Sequence, residues 1–536
     1  MTIENTIFPT EQEIPEEYKA KPVEQKQYLV NGELREWNGD SERVLSPVCM
    51  RNGETVEQKV LGSYPMLGEK EAVEALDAAV KAYDNGKGSW PTMSVEERIE
   101  CVQGFVRRMV GVRKDVVNML MWEIGKSYKD SCKEFDRTVE YVQDTVSALK
   151  DLNNQSSRFA RDGGVLAQIR RAPLGTVLCM GPYNYPLNET YTTLIPALIM
   201  GNTVVFKPAK YGVLLHQPLL KAYQESFPAG VLNTIYGDGQ KVIGPLMSSG
   251  QINALAFIGS TRVANILKKQ HPKPNRLRSI LGLGAKNVGI VLGDADLETA
   301  VSECVQGALS YNGQRCTALK LLYVQKDIAP EFTARFAEKV DKLVRGMPWS
   351  KDVAITPVPA LSMVKYFRDL VEDAVSKGAR LVNNGGESNM TFFSPAVLAG
   401  VTSSMRIYNE EQFGPVVPIA TFEDIAEPLK FVDESEFGQQ ASIFGNDPKI
   451  IGRLVDPLVN QVCRVNVNSQ CQRGPDSYPF TGRKDSAETT LSITDALRAL
   501  SIRTMVAAKD TDQNRRILTD ILGGNTSKFL TSDWIF

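Results

Sequence analysis

The sequence predicts an α/β protein with more than one large domain. Three observations carry this. The chain has 536 residues, beyond the roughly 250–300 at which a single core stops growing. From about residue 174, short apolar strands alternate with amphipathic helices. This is the rhythm of a mostly parallel sheet covered on both faces. A second series of the same kind begins near Asn287.

In chain order, residues 1–25 are acidic and broken by proline and read as an extended arm. They hold no apolar stretch of the signal-peptide kind, which predicts a cytoplasmic location. Residues 69–152 read as helices, with apolar positions at helical spacing in EKEAVEALDAAVKAYDNG and after it. SSRFARDGGVLAQIRRAPLG alternates like a strand pair around Gly163-Gly164. GTVLCMGP, NTVVFKPA, VLNTIYGDG and ALAFIGS then read as strands. Between and after them TTLIPALIMG, LLHQPLLKAYQESF, QKVIGPLMSSG and TRVANILKKQ read as helices. NVGIVL, LETAVSECVQGALSYNGQ, LKLLYVQ and FTARFAEKVDKLV open the second series. After Glu488 a strand, a helix and another strand are expected, pairing with VLAQIRR as a flap. The final stretch, through Trp534-Ile535-Phe536, is a candidate for docking on a neighbour.

Composition narrows the function. Lys plus Arg is 61 and Asp plus Glu is 63, which argues against a nucleic-acid binder but leaves room for a local basic pocket. No apolar run reaches the ~18 residues of a membrane span. Eight scattered cysteines with only His216 and His271 make no zinc pattern. No metal is expected, and the cysteine usage fits a reduced compartment.

The turns at strand ends carry the chemistry. FIGSTRVANIL is a strand, a turn with Gly259 and Ser260, then a helix. Its free N–H groups suit a phosphate, although plain capping by Ser260 explains it too. VVFKPAK sets Lys207 and Lys210 just past a strand, either as a solvated loop or as a clamp for ribose and phosphate oxygens. In MGPYNYPLNE the Asn184 amide is placed to donate to an oxyanion. SYNGQRCTALK sets Cys316 beside Arg315, a cation that favours thiolate, against the alternative of a buried hydrophobic cysteine.

Taken together, these turns resemble the aldehyde dehydrogenase superfamily over roughly Glu69 to Lys509, and they occur in its order. PYNYP, KPAK, FIGST, GQRC, EEQFGPV and PFTGRKDS are similar to its oxyanion, adenosine-ribose, diphosphate, nucleophile, nicotinamide-ribose and late signature motifs. The resemblance implies Cys316 as nucleophile and Asn184 with the Cys316 N–H as oxyanion donors. It implies a coenzyme held by Lys207, Lys210, Gly259, Ser260, Glu411 and Phe413. PYNYPLN, GQRCTALK and QCQRGPD resemble the non-phosphorylating, NADP-dependent glyceraldehyde-3-phosphate dehydrogenase sub-family. That likeness implies a substrate-phosphate pocket from Arg137, Tyr185, Arg315 and Arg473. Guanidinium forks suit phosphate oxygens, and structural salt bridges are the alternative reading for each arginine. NADP is expected over NAD because Lys210 stands where NAD-preferring members often carry a carboxylate.

The resemblance also implies an architecture: a Rossmann-like coenzyme domain, an α/β catalytic domain and a small β oligomerisation flap. The expected bounds are 1–153 with 173–285, then 286–487, then 154–172 with 488–509, and a C-terminal extension of 510–536. A homodimer or homotetramer is expected through exposed strand edges. One departure stands out in ILGLGAKNVGIV. The family's general-base glutamate aligns with Gly282, or in some relatives with Gly284, and neither is a carboxylate. An absent general base costs about 10²–10⁴ in rate. Three functions stay open on this reading. One is a phospho-aldehyde dehydrogenase with deacylation that is slow, blocked, or assisted by Glu410, Glu411 or a bound water. The second is a CoA-acylating relative, and the third a catalytically impaired binding or structural protein.

Overall fold

The computed structural model describes residues 5–536. Two sheets organise it. The first runs in the order Leu232–Thr234, Thr203–Lys207, Thr176–Met180, Ala254–Ile258, Arg278–Gly282 and Ala487–Glu488. Its first five strands are parallel. The second runs Arg380–Leu381, Ala396–Ala399, Val416–Phe422, Leu319–Gln325, Asn287–Val291, Gln440–Phe444 and Arg464–Val467. All of its pairs are parallel except the first. TVLCM and NVGIV are buried at every position, as continuous apolar runs in covered parallel sheets must be.

The segment 283–286 carries the chain from one sheet to the other. Asn184, Lys210, Ser260 and Gly282 all lie at or just past carboxyl ends of strands in the first sheet. Cys316 and Gln439 precede the amino ends of Leu319–Gln325 and Gln440–Phe444 in the second. The two sheets therefore present these residues to one crevice. Helices 69–83, 95–111, 113–124 and 128–155 fill the expected helical region, and the last supplies Glu134 and Arg137 to the crevice.

A third, antiparallel sheet joins Ala160–Asp162, Val165–Pro173 and Ser501–Lys509. Its hairpin turns at Gly163 and Gly164, with φ of +53° and +76°, a geometry that two glycines adopt without strain. Glu488, expected to open the flap, instead pairs with Leu281 at the edge of the first sheet.

One further reading is corrected. Residues 1–4 of the expected arm lie outside the described residues. The rest is not extended: it forms turns at Asn5–Ile7, Glu11–Glu13 and Glu16–Tyr18, because Phe8 and Ile14 bury themselves in the core. The chain end meets its own helix through Ile535, while Trp534 and Phe536 are 55 % and 96 % exposed. The Ile535 N–H and C=O bond the Asn154 side chain at 3.0 and 2.9 Å. Strands between residues 27 and 65, which the sequence reading left unassigned, precede the helical region. Among the described residues no helix is long and apolar enough to cross a membrane.

Candidate active site

The crevice is a cavity of about 910 Å³. Cys316 is the one cysteine in its wall. The loop that presents it follows helix Leu297–Leu309 and turns through Tyr311, Asn312 and Gly313, at φ of +51°, +54° and +70°. The Asn312 side chain pins this turn by donating to the Thr356 C=O (3.0 Å) and accepting from the Thr356 N–H (2.9 Å). A Cβ at Gly313 would lie 2.7 Å from the carbonyl oxygens of Ala308 and Gly414, so only glycine fits. The Cys316 carbonyl accepts from Asn287 Nδ2 at 2.7 Å and Lys320 Nζ at 3.0 Å.

Asn184 is buried opposite. Its Nδ2 donates to the Gln314 carbonyl at 2.8 Å, which leaves the second amide N–H for another acceptor. Lys126, buried with Glu134 in an ion pair, donates to the Asn184 carbonyl at 2.8 Å and sits 3.6 Å from the Tyr185 ring centroid. Glu134 also accepts the Leu187 and Asn188 N–H groups at the start of helix Asn188–Ile199. The Asn184 turn is thus fixed by a buried pair from the 128–155 helix region that its own sequence gives no hint of.

Burial raises the Cys316 thiol above its ordinary value of 9.0. The charge of Glu189 adds to this, whereas Lys320, Arg473 and a hydrogen bond from Gln439 oppose it. Gln439 lines the cavity, is 4 % exposed, and its Oε1 has no partner. Its neighbour Gln440 donates its N–H to Asn287 Oδ1 at 3.0 Å, and Asn287 holds the Cys316 carbonyl. Alkylation of Cys316 by iodoacetamide, followed on the Cys316 peptide, is therefore expected to keep accelerating above pH 9. Gln439→Leu is expected to move that profile to higher pH, and an unmoved profile would contradict the Gln439 contact.

Lys286 is buried and donates to the Ile407 and Glu410 carbonyls and to Gln412 Oε1, each within 2.8 Å. Burial holds its ammonium well below the usual lysine range. Its place in the structure is to anchor the segment that carries Glu411. Glu411 Oε1 accepts from Lys320 Nζ at 2.7 Å and the Ala285 N–H at 3.0 Å. Phe413 lines the cavity with its ring 5.8 Å from that of Tyr183. Glu410 lies elsewhere, bound to Arg406 and Tyr366.

Gly259, Ser260 and Lys210 line the cavity, while Lys207 is half-buried at the end of the strand Thr203–Lys207. Burial pushes Lys207 down to about 8. Ser260 caps its helix through the Val263 N–H at 3.4 Å. Lys210 is not the free cation the sequence reading assumed: it pairs with Glu42 at 2.6 Å. Both partners are substantially solvated, with side chains 60 % and 34 % exposed, and such a pair is worth about 0–1 kcal/mol.

Arg137, Tyr185, Arg315 and Arg473 all line the cavity. Two of the guanidiniums already meet carboxylates. Arg137 makes a fork to Asp476 at 2.8 and 2.6 Å. Arg473 pairs with Glu189 and reaches Asp476 at 3.2 Å. The salt-bridge reading therefore holds for these two. Arg315 has no carboxylate partner; it donates to the Gly307 carbonyl at 3.1 Å, and its Nε is unpaired. Within this set one positive charge is uncompensated.

Gly282 and Gly284 both line the cavity, and no carboxylate stands at either. They differ in space. A Cβ at Gly282 would meet Leu491 at 3.3 Å and Ile258 at 3.4 Å. At Gly284 it would lie 2.8 Å from Phe437 and 2.9 Å from Glu411 Oε2. Of the two alignments, only position 282 accommodates a side chain.

The chain is similar to known proteins. The model of the aldehyde dehydrogenase family matches residues 48–505. An NADP-dependent glyceraldehyde-3-phosphate dehydrogenase of Streptococcus equinus is 33 % identical over 448 residues, which is 82 % of this chain and 91 % of that one. A 3-sulfolactaldehyde dehydrogenase of Priestia aryabhattai is 30 % identical over 441 residues, 81 % of this chain and 91 % of that one. The crystal structure of NADP-dependent glyceraldehyde-3-phosphate dehydrogenase from Bacillus halodurans, complexed with NADP, superposes with a TM-score of 0.82 at 30 % identity. It covers 91 % of this chain and all of that one.

Proposed function

The chain belongs to the aldehyde dehydrogenase family, and on that premise we propose that it oxidises glyceraldehyde 3-phosphate to the free acid with NADP. The observation that carries this reading is the convergence of Cys316, Asn184 and three guanidiniums on one cavity. Cys316 Sγ attacks the aldehyde carbon. The second Asn184 amide N–H and the Cys316 N–H donate to the oxyanion that forms. Bound NADP supplies the hydride acceptor. Loss of the hydride leaves a thioester on Cys316, and water then releases the acid.

The residues present fit the coenzyme. The Gly259-Ser260 turn opens a ten-residue helix onto the cavity, a place suited to a diphosphate. Lys207 and Glu411 stand for the two riboses, and Phe413 for the nicotinamide face. Lys210 exchanges its weak bond to Glu42 for the 2′-phosphate. The six-stranded sheet forms the coenzyme half and the seven-stranded sheet the catalytic half. The exposed Ser501–Lys509 strand, with Ile502 and Met505 half or more exposed, is the pairing surface of a homo-oligomer.

The coenzyme assignment makes a direct expectation. NADP gives a higher kcat/KM than NAD. Lys210→Glu lowers the NADP value selectively by about tenfold, the equivalent of about 1.4 kcal/mol, and Glu42→Gln raises it. Equal or better kcat/KM with NAD would refute the assignment.

A second reading, oxidation of a sulfonated aldehyde, draws on the single uncompensated positive charge. Arg473 and Arg137 are already neutralised by Glu189 and Asp476, and a monoanionic sulfonate suits what remains. Assay of both aldehydes with NADP, with the product identified and with CoA added or withheld, decides among the readings. Free acid from glyceraldehyde 3-phosphate without CoA supports the first. Preference for the sulfonated aldehyde supports the second, and turnover that requires CoA would overturn both in favour of acyl transfer to a thiol.

A further inference from the structure

An enzyme of this kind needs a base for the water that frees the acyl group, and position 282 provides none. We infer that Glu189 is that base. The inference rests on reading Cys316 as the nucleophile.

Among the described residues four carboxylates stand in the cavity wall: Asp130, Glu134, Glu189 and Glu411. Glu134 is committed on both oxygens, to Lys126 and to the Leu187 and Asn188 N–H groups. Glu411 is held at Oε1 by Lys320 and the Ala285 N–H, and it is the carboxylate read above as the nicotinamide-ribose ligand. Asp130 Oδ2 accepts from the hydroxyl of Ser127, the residue that caps its helix. Glu189 comes from the Asn184 segment itself. It sits on the first turn of helix Asn188–Ile199, five residues after Asn184, and is 8 % exposed. Its Oε2 meets Arg473, while its Oε1 accepts no hydrogen bond from any described residue. The negative charge is felt at the Cys316 thiol. Glu189 is thus a carboxylate in the nucleophile's cavity, held at one oxygen and open at the other.

In the step assigned to it, a water oxygen bonds to the thioester carbon while one water proton passes to Glu189 Oε1. The resulting oxyanion rests on the Asn184 amide. Collapse breaks the carbon–sulfur bond, the acid leaves, and Cys316 departs as thiolate. Glu189 then gives its proton to solvent. Arg473 keeps the carboxylate aimed between turnovers.

The test uses 4-nitrophenyl acetate and the full chain without coenzyme, so it is independent of which aldehyde or coenzyme is correct. The ester acylates Cys316 directly: the ester C–O bond breaks, nitrophenolate leaves, and the thiol proton passes to solvent. The unmodified protein is expected to release a burst equal to its active sites and then turn over. Glu189→Gln keeps an acceptor for Arg473. It is expected to give a full burst followed by a steady rate lower by about 10² or more. Hydroxylamine, which attacks a thioester without a base, is expected to restore that variant's turnover. A steady rate equal to that of the unmodified protein, a loss of burst and steady rate together, or failure of hydroxylamine to rescue would each overturn the inference. If ester hydrolysis behaves as expected but no NADPH forms from the aldehyde, the base stands and the substrate assignment falls.

Discussion

Cys316→Ala is expected to lower NADPH formation by about 10⁴-fold or more, the scale on which a covalent nucleophile is lost, with coenzyme binding retained. No other cysteine lines the cavity. Cys179, Cys304 and Cys471 are buried in the core with their thiols raised by desolvation. Cys463 is exposed, away from the cavity wall. The substitution removes one sulfur and leaves the backbone that Asn287 and Lys320 hold, so the loop keeps its form. Turnover and coenzyme fluorescence titration check it together. Residual activity within tenfold of the unmodified protein would mean that the reaction does not pass through Cys316.

Gly282→Glu is expected to raise the steady rate of acid release by about 10² where deacylation limits turnover, and Gly284→Glu is not. Gly282 ends a strand with ordinary backbone geometry, and the nearest atoms to its added Cβ are the end of the Leu491 side chain at 3.3 Å and the Ile258 side chain at 3.4 Å. The new carboxylate would enter the cavity that holds Cys316. At Gly284 the added Cβ meets the Phe437 ring and Glu411. A second carboxylate there would repel the one that Lys320 and Ala285 hold, so loss of stability is the expected result. In Glu189→Gln the Gly282→Glu effect is expected to be larger, because Glu189 no longer supplies the base. A rise with Gly284→Glu and none with Gly282→Glu would reverse this assignment of position. Steady-state rates with thermal denaturation of the same preparations distinguish the cases.

Much of this was legible in the sequence because it is local. The strand–turn–helix stretches around Lys207, Ser260 and Asn184 place their turns at strand ends by pattern alone. Cys316 announces itself by the glycine two residues before Arg315 and the apolar strand after it. The hairpin at Gly163-Gly164 follows from its dipeptide. What the sequence does not show depends on partners far apart in the chain. Arg137 and Asp476 are 339 residues apart, and Arg473 and Glu189 are 284 apart. No spacing rule joins either pair, so the sequence leaves the arginines open between salt bridges and a phosphate pocket. Lys210 read as a free cation because Glu42 arrives from a strand the helical pattern gave no reason to expect. Glu189 is hidden as an ordinary acidic residue in a helix first turn, where carboxylates are common. Gln439 is hidden in a strand entrance, and only its burial beside Cys316 with an unpaired oxygen sets it apart.

The central claim is that oxidation on Cys316 is intact and that release of the acyl group is the demanding step. Rapid mixing of the protein with NADP and glyceraldehyde 3-phosphate, following NADPH by absorbance, tests it most directly. The account predicts a burst of one NADPH per active site, then a slower linear phase that Glu189→Gln slows further and Gly282→Glu quickens. A linear trace with no burst would place the slow step before hydride transfer. The absence of NADPH would contradict the account outright.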